Sequence, residues 1–117
     1  MEDLVIFSRT SDLLAWLVPK AETFPRSFRQ TVTARLLAAA LDLPEQLLEA
    51  QSRRGAPRRE RLAQADATLN KLRLYLKLAH QWRWLSDGQY EHVSRMVAEI
   101  GRLLGGWIRQ AKGEHAD

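Results

Sequence analysis

Between Leu62 and Leu85 the apolar residues follow two helical stripes instead of one. At ~100° per residue, Leu62, Ala65, Leu69, Leu72, Leu76 and Ala79 fall on one line. Leu74, Tyr75, Leu78, Trp82 and Leu85 fall nearly opposite. A helix at the surface of a small protein needs only one such stripe. A bundle of four helices cannot bury every side of a member. The second stripe, with Leu74, Tyr75, Leu78 and Trp82, therefore predicts contact with another subunit and a homo-oligomer. Packing of Tyr75 and Trp82 by the chain ends or a basic loop is the competing reading.

The rest of the chain shares the helical spacing and carries no sustained strand alternation. The pattern predicts one domain over residues 1–117, with helices at about 9–21, 26–51, 58–85 and 87–112. Pro19 should kink or end the first helix, and Pro25 suits the opening of the second. Phe28, Val32, Leu36, Ala39, Leu43, Leu47 and Ala50 keep phase across Pro44, which favours one long kinked helix over two. Ser52 to Arg61 reads as a Gly/Pro-punctuated basic connection. Ser86 and Gln89 have the spacing of a capping box opening the last helix, and the tail "GEHAD" should fray. Four helices with short connections predict an all-α, antiparallel up-down-up-down bundle.

"EIGRLLGGWI" places Gly101, Gly105 and Gly106 inside the last helix, although each glycine costs about 1 kcal/mol relative to alanine there. Apolar spacing persists into Trp107 and Ile108, so the helix is expected to continue. Ser94, Ala98, Gly101 and Gly105 form a ridge of small residues that permits close helix packing, within the bundle or between chains. Tyr90, Val93, Val97, Ile100, Leu104 and Trp107 form the adjacent core stripe. Gly106 fits this account less well and suits a local bend.

Charge is distributed unevenly. Of the 18 Lys/Arg and 14 Asp/Glu, residues 1–50 carry five against seven and residues 51–117 thirteen against seven. Arg53, Arg54, Arg58, Arg59 and Arg61 crowd the connection. Arg73 and Lys77 share a helix flank with Asn70, and Arg95, Arg102 and Arg109 recur every seven residues. Each group alone reads as a solvated face, with Glu91 or Glu99 at hand for pairing. Taken together and multiplied by oligomerisation, they predict a surface that binds nucleic acid through its phosphates.

Signatures of catalysis are missing. His80, His92 and His115 have Lys77, Gln89 and Lys112 three residues before them, which removes the Glu-x-x-His di-metal pattern. No phosphate-binding loop or dinucleotide fingerprint occurs. A non-enzymatic chain without metal or cofactor is expected. There is no cysteine, "MEDLVIF" is acidic where a secretion signal is basic, and no stretch matches the ~20 apolar residues of a membrane span. These features predict a soluble, cytoplasmic protein that does not engage a membrane.

"WLVPKAETFPRSFR" and "LRLYLKLAHQWRWLSDGQYEHVSRMVAEIGRLLGGWI", with the spacing between them, resemble a known four-helix-bundle family. That family includes proteins encoded by ribosomal-RNA intervening sequences and the accessory variability protein of diversity-generating retroelements. The resemblance covers roughly residues 8 to 112; "FPRS" and "EIGRLLGGWI" are its most specific pieces. It implies a bundle assembled into a five-membered ring with a positive surface. In the retroelement members it further implies binding of a reverse transcriptase and template RNA, and hence association with cDNA, during mutagenic cDNA synthesis. Arg73 and Lys77 match the family's basic positions, and Glu99, Gly101, Arg102, Gly105 and Trp107 match its last-helix motif. The dense arginines from Arg53 to Arg61 and the interruption at Pro44 depart from the family pattern. A stand-alone bundle of the intervening-sequence type, without a polymerase partner, shares the same motifs.

Overall fold

Apolar side chains at steps of three and four build four helices: α1 (Glu2–Ala21), α2 (Val32–Gln51), α3 (Gly55–Gln81) and α4 (Asp87–Gly113). A single 3-10 turn, Arg26–Phe28, lies between α1 and α2. These elements come from a computed structural model that describes residues 2–114, with side-chain surroundings from Val5 onward. No strand occurs among the described residues, and no helix among them is long and apolar enough to cross a membrane. His115 and the end of the "GEHAD" tail lie outside the described residues.

The core is the shared interior of the four helices. Ile6, Leu13 and Leu17 of α1 are buried, as are Leu36, Leu43 and Leu47 of α2. Leu62, Ala65, Leu69, Leu72, Leu76 and Ala79 bury the first stripe of α3, and Val93, Val97, Ile100, Leu104 and Trp107 that of α4. Each helix packs on the next in chain order, and α4 closes on α1. Phe7 meets Trp107 edge-on at 6.4 Å and Trp16 meets His92 at 5.3 Å. The result is an elongated body of 49 × 25 × 20 Å.

Boundaries differ from the sequence expectation at four places, each for a local reason. α1 starts by Glu2 rather than near Arg9, and it runs through Pro19 to Ala21. The Pro19 carbonyl then accepts from the Glu22 N–H at 3.2 Å as the helix unwinds. α2 begins at Val32, not at residue 26. Pro25 is extended (ψ 132°) and opens only the short 3-10 turn, which leaves Phe28 41% exposed and off the α2 stripe. Pro44 does not divide α2, because the buried residues on both sides hold the helix in phase.

The basic connection shrinks to Ser52, Arg53 and Arg54, and α3 starts at Gly55. Gly55 takes φ 61°, a left-handed conformation that suits glycine. Pro57 then falls in the first helical turn, where backbone N–H groups have no intrahelical acceptor to lose. At its other end α3 stops at Gln81, four residues short of Leu85. Arg83 turns left-handed at φ 65°, and the N–H groups of Trp84 and Leu85 both reach the Ala79 carbonyl, at 2.8 and 3.2 Å. Trp82, Trp84 and Leu85 therefore belong to the turn, and Leu85 is folded into the core.

α4 opens with the expected capping box. The Gln89 N–H donates to Ser86 Oγ at 3.1 Å, and the Ser86 N–H donates to Gln89 Oε1 at 2.9 Å. His80 Nε2 donates to Asp87 Oδ1 at 2.7 Å and stacks on Tyr90 with ring centroids 4.3 Å apart. That hydrogen bond, and then the charges of Arg83 and His80, hold the Asp87 carboxyl below its usual 3.8. The α3–α4 turn is thus clamped from both sides. The helix continues through Gly101, Gly105 and Gly106 to Gly113.

Candidate nucleic-acid interface

A cleft of about 380 Å³ opens between α3 and α4. Asn70, Arg73, Leu74 and Lys77 line it from α3, and Tyr90, Ser94 and Ala98 from α4. The α3 residues meet there because positions three and four apart share a helix face. On the α4 side, the short side chains of Ser94 and Ala98 leave room for the cleft.

Gly101 extends this arrangement. Arg73 Nη1 donates to Asn70 Oδ1 at 2.9 Å, and the Arg73 Nη2 end rests where a Cβ on Gly101 would stand. The atoms nearest the glycine are side-chain atoms of α3, from Arg73 and Leu69. The missing methyl makes a seat for a guanidinium. At Gly105 a Cβ would meet only Arg109 Nη1, at 3.5 Å, an ordinary contact. Ala98 is exposed at the cleft, while Trp107 belongs to the core against Phe7. Within the protomer the ridge therefore meets α3 through side chains at Gly101 and borders the cleft at Ser94 and Ala98.

The basic residues divide into two groups. Arg73 and Lys77 are exposed and join no ion pair among the described residues. Most of the others have partners. Arg95 pairs with Glu91 at 2.7 Å. Arg102 grips Glu99 through two bonds of 2.9 Å, and those bonds hold the Glu99 carboxyl below its usual 4.5. Arg109 is exposed further along α4.

The arginines at the α2–α3 connection serve the helix end. α2 has no basic residue in its own last turn. Arg53 Nη1 donates to the Glu49 carbonyl at 3.1 Å. Arg58 Nε and Nη2 donate to the Ala50 and Gln51 carbonyls at 3.0 and 3.2 Å. They satisfy carbonyls that a helix leaves open and place positive charge at the negative end of its dipole. Arg58 also lies 4.0 Å from Glu114, and Arg61 lies 3.5 Å from Glu49. Arg54 occupies the extended position before α3 without a side-chain capping bond, and Arg59 stands half-buried beside Leu62 and Ile108. Replacing Arg58 with alanine should cost about 1–2 kcal/mol, read as a Tm lowered by roughly 5 °C or more in a thermal melt.

The second apolar stripe is shorter than the spacing implied. On the helix it consists of Leu74, which is 52% exposed, with Tyr75 and Leu78 half-buried. Leu74 is where this strip borders the cleft. Trp82, beyond the helix end, joins an aromatic group with Phe24, Phe28 and Trp84 that helical spacing did not bring together. The signal for it was the pairing of "FPRSF" with "WRW", two aromatic-arginine stretches at neighbouring helix ends. Among the described residues no group of three or more His, Cys, Asp or Glu is placed to hold a metal ion.

Comparison with known proteins places the chain. It is similar to the crystal structure, at 1.70 Å resolution, of a protein of unknown function from the S23 ribosomal protein family of Bacteroides thetaiotaomicron. The TM-score is 0.84 at 19% identity, covering 93% of this chain and 99% of that one. At that identity the likeness concerns the fold. No curated protein matches the chain. The family model bAvd-like matches residues 4–111, spanning all four helices and both walls of the cleft. The chain therefore belongs to the bAvd-like family, that of the accessory variability protein.

Proposed function

We propose that this chain is a non-enzymatic accessory protein of a diversity-generating retroelement, binding the reverse transcriptase and the template RNA to support mutagenic cDNA synthesis. The observation that carries the reading is the α3–α4 cleft of a bAvd-like chain. There Arg73 and Lys77 hold positive charge that no carboxylate among the described residues pairs with. Polymerisation belongs to the partner, and the contribution of this chain is to bind and position. The contacts of Phe7 with Trp107, Trp16 with His92, and Arg58 with Glu114 support an antiparallel up-down-up-down bundle. The working form in this reading is a homopentameric ring, as the family resemblance implies, and its place, read from the sequence, is the cytoplasm. A ring closes through two different faces. The Leu74–Leu78 strip of α3 and the exposed Leu41 and Leu48 of α2 supply candidates.

Charge contacts of this kind attract phosphates of any sequence and weaken steeply with salt. Specificity for one RNA would then come from the polymerase and from the geometry of the ring. A second reading, a stand-alone binding module without a polymerase partner, is favoured by the likeness to a member of a ribosomal protein family. Co-expression with a reverse transcriptase encoded beside the gene separates the two. Capture of polymerase and RNA together supports the accessory role; failure to capture the polymerase, with RNA still bound, supports the stand-alone module.

A further inference from the structure

Four aromatic side chains gather where α3 gives way to α4, outside the cleft. Phe24 is buried and packs on Trp84 at 5.3 Å. Trp84 lies 5.1 Å from Phe28 and 5.2 Å from Trp82. Phe28 and Trp82 face each other with ring centroids 6.3 Å apart and planes within 25°. They are 41% and 46% exposed. Together with Trp84 they enclose an open cup of about 200 Å³.

The geometry of the cup suits a flat guest. The half-exposed rings of Phe28 and Trp82, with Trp84 between and behind them, offer such a guest an apolar aromatic face to stack on, the contact by which proteins hold unpaired bases. The main chain that carries both rings is hydrogen-bonded. The Phe28 N–H donates to the Pro25 carbonyl at 3.1 Å, and the Trp82 N–H donates to the Leu78 carbonyl at 2.9 Å. Between the tryptophans, Arg83 takes a left-handed conformation that non-glycine residues adopt at a cost. Trp82 and Trp84 consequently stand at 56° to each other, not side by side.

The charge of the chain stretches that supply these rings favours one kind of guest. Thr23 to Leu41 includes Arg26, Arg29 and Arg35 and no carboxylate. Ala67 to Ser86 includes Lys71, Arg73, Lys77 and Arg83 and no carboxylate. The bordering acids are Glu22 before the first stretch and Asp87 after the second, and Asp87 is engaged by His80 and Arg83. An apolar side chain of a protein partner would fill the cup without any use for these cations. A nucleobase carries its own phosphate and uses both. Lys77 lies four residues before the end of α3, about 6 Å along the helix. We propose that the Phe28–Trp82–Trp84 cup stacks one unpaired base of single-stranded RNA, an inference that rests on the RNA-binding reading above and adds a base contact to it.

The test titrates the full chain with a short single-stranded RNA and with an abasic strand of equal length and charge, at one salt concentration. Binding is read by anisotropy and by tryptophan emission. Wild-type protein should bind the RNA about tenfold more tightly than the abasic strand, with its emission quenched. Trp82→Ala should lose that preference while keeping its affinity for the abasic strand, and Trp82→Tyr should retain most of it. Equal RNA preference in wild type and Trp82→Ala overturns the cup and leaves the cleft standing. No binding of either strand by the wild type overturns both. A fall in subunit mass for Trp82→Ala with the RNA preference intact makes the cup a subunit contact and also overturns the proposal.

Discussion

Replacing Arg73 and Lys77 together with alanine should leave the bundle folded and assembled while removing most of its capture of RNA and reverse transcriptase. Both side chains are exposed, and alanine favours the helix, so thermal stability should change little. Binding carried by phosphate contacts responds differently. Each cation removed from a single strand should lower the slope of log affinity against log salt by about 0.7. Two per engaged subunit should flatten it by about 1.4. Pull-down and a salt titration of RNA binding read the two effects separately. Gly101→Ala is the companion variant, because it keeps both charges and fills the seat of the Arg73 guanidinium. It should weaken RNA binding without loss of stability, whereas Gly105→Ala, which meets only an ordinary contact, should leave binding unchanged. Undiminished capture by the double variant would remove the cleft from the account.

The second large effect concerns assembly. Leu74→Gln with Leu78→Gln removes the apolar strip of α3 without adding a negative charge beside Arg73, and glutamine keeps good helix propensity. The subunits should then separate. RNA affinity should fall by a factor of about 10² to 10⁴, the range that linked binding sites gain over single ones. Light scattering reads the mass, and a thermal melt shows that the bundle itself survives. A variant that still runs at the wild-type mass would place the subunit contact elsewhere, with Leu41 and Leu48 of α2 the next residues to change.

Long periodic segments were legible in the sequence because a buried stripe dictates its own spacing. The α3 stripe from Leu62 to Ala79 and the α4 stripe from Val93 to Trp107 are buried as the periodicity predicts. The capping box at Ser86 and the passage of α4 through its glycines followed from equally local chemistry. Helix ends were harder to read. Gly55 and Pro57 have the composition of a loop, yet the first turn of a helix accepts both. Trp82 and Leu85 continue the helical phase of α3, yet a left-handed Arg83 removes them from the helix, with no glycine to mark the place.

The candidate site was legible only in part, since its decisive contacts join residues distant in the chain. Arg73 and Lys77 could be named from their shared flank and their family match. That Gly101 of another helix receives Arg73 depends on how α3 crosses α4, which spacing does not encode. The density of arginine between Arg53 and Arg61 suggested a binding patch. Arg53 and Arg58 instead reach backbone carbonyls of α2, partners that every helix end supplies whatever its sequence.

Sedimentation of the purified chain with single-stranded RNA, at micromolar concentration and at low and high salt, tests assembly and binding in one measurement. At high salt the protein should run free of RNA at five times its 13.4 kDa, about 67 kDa. At low salt the same particle should carry RNA. A 13.4 kDa species at both salt concentrations, with the RNA sedimenting alone, would contradict the account.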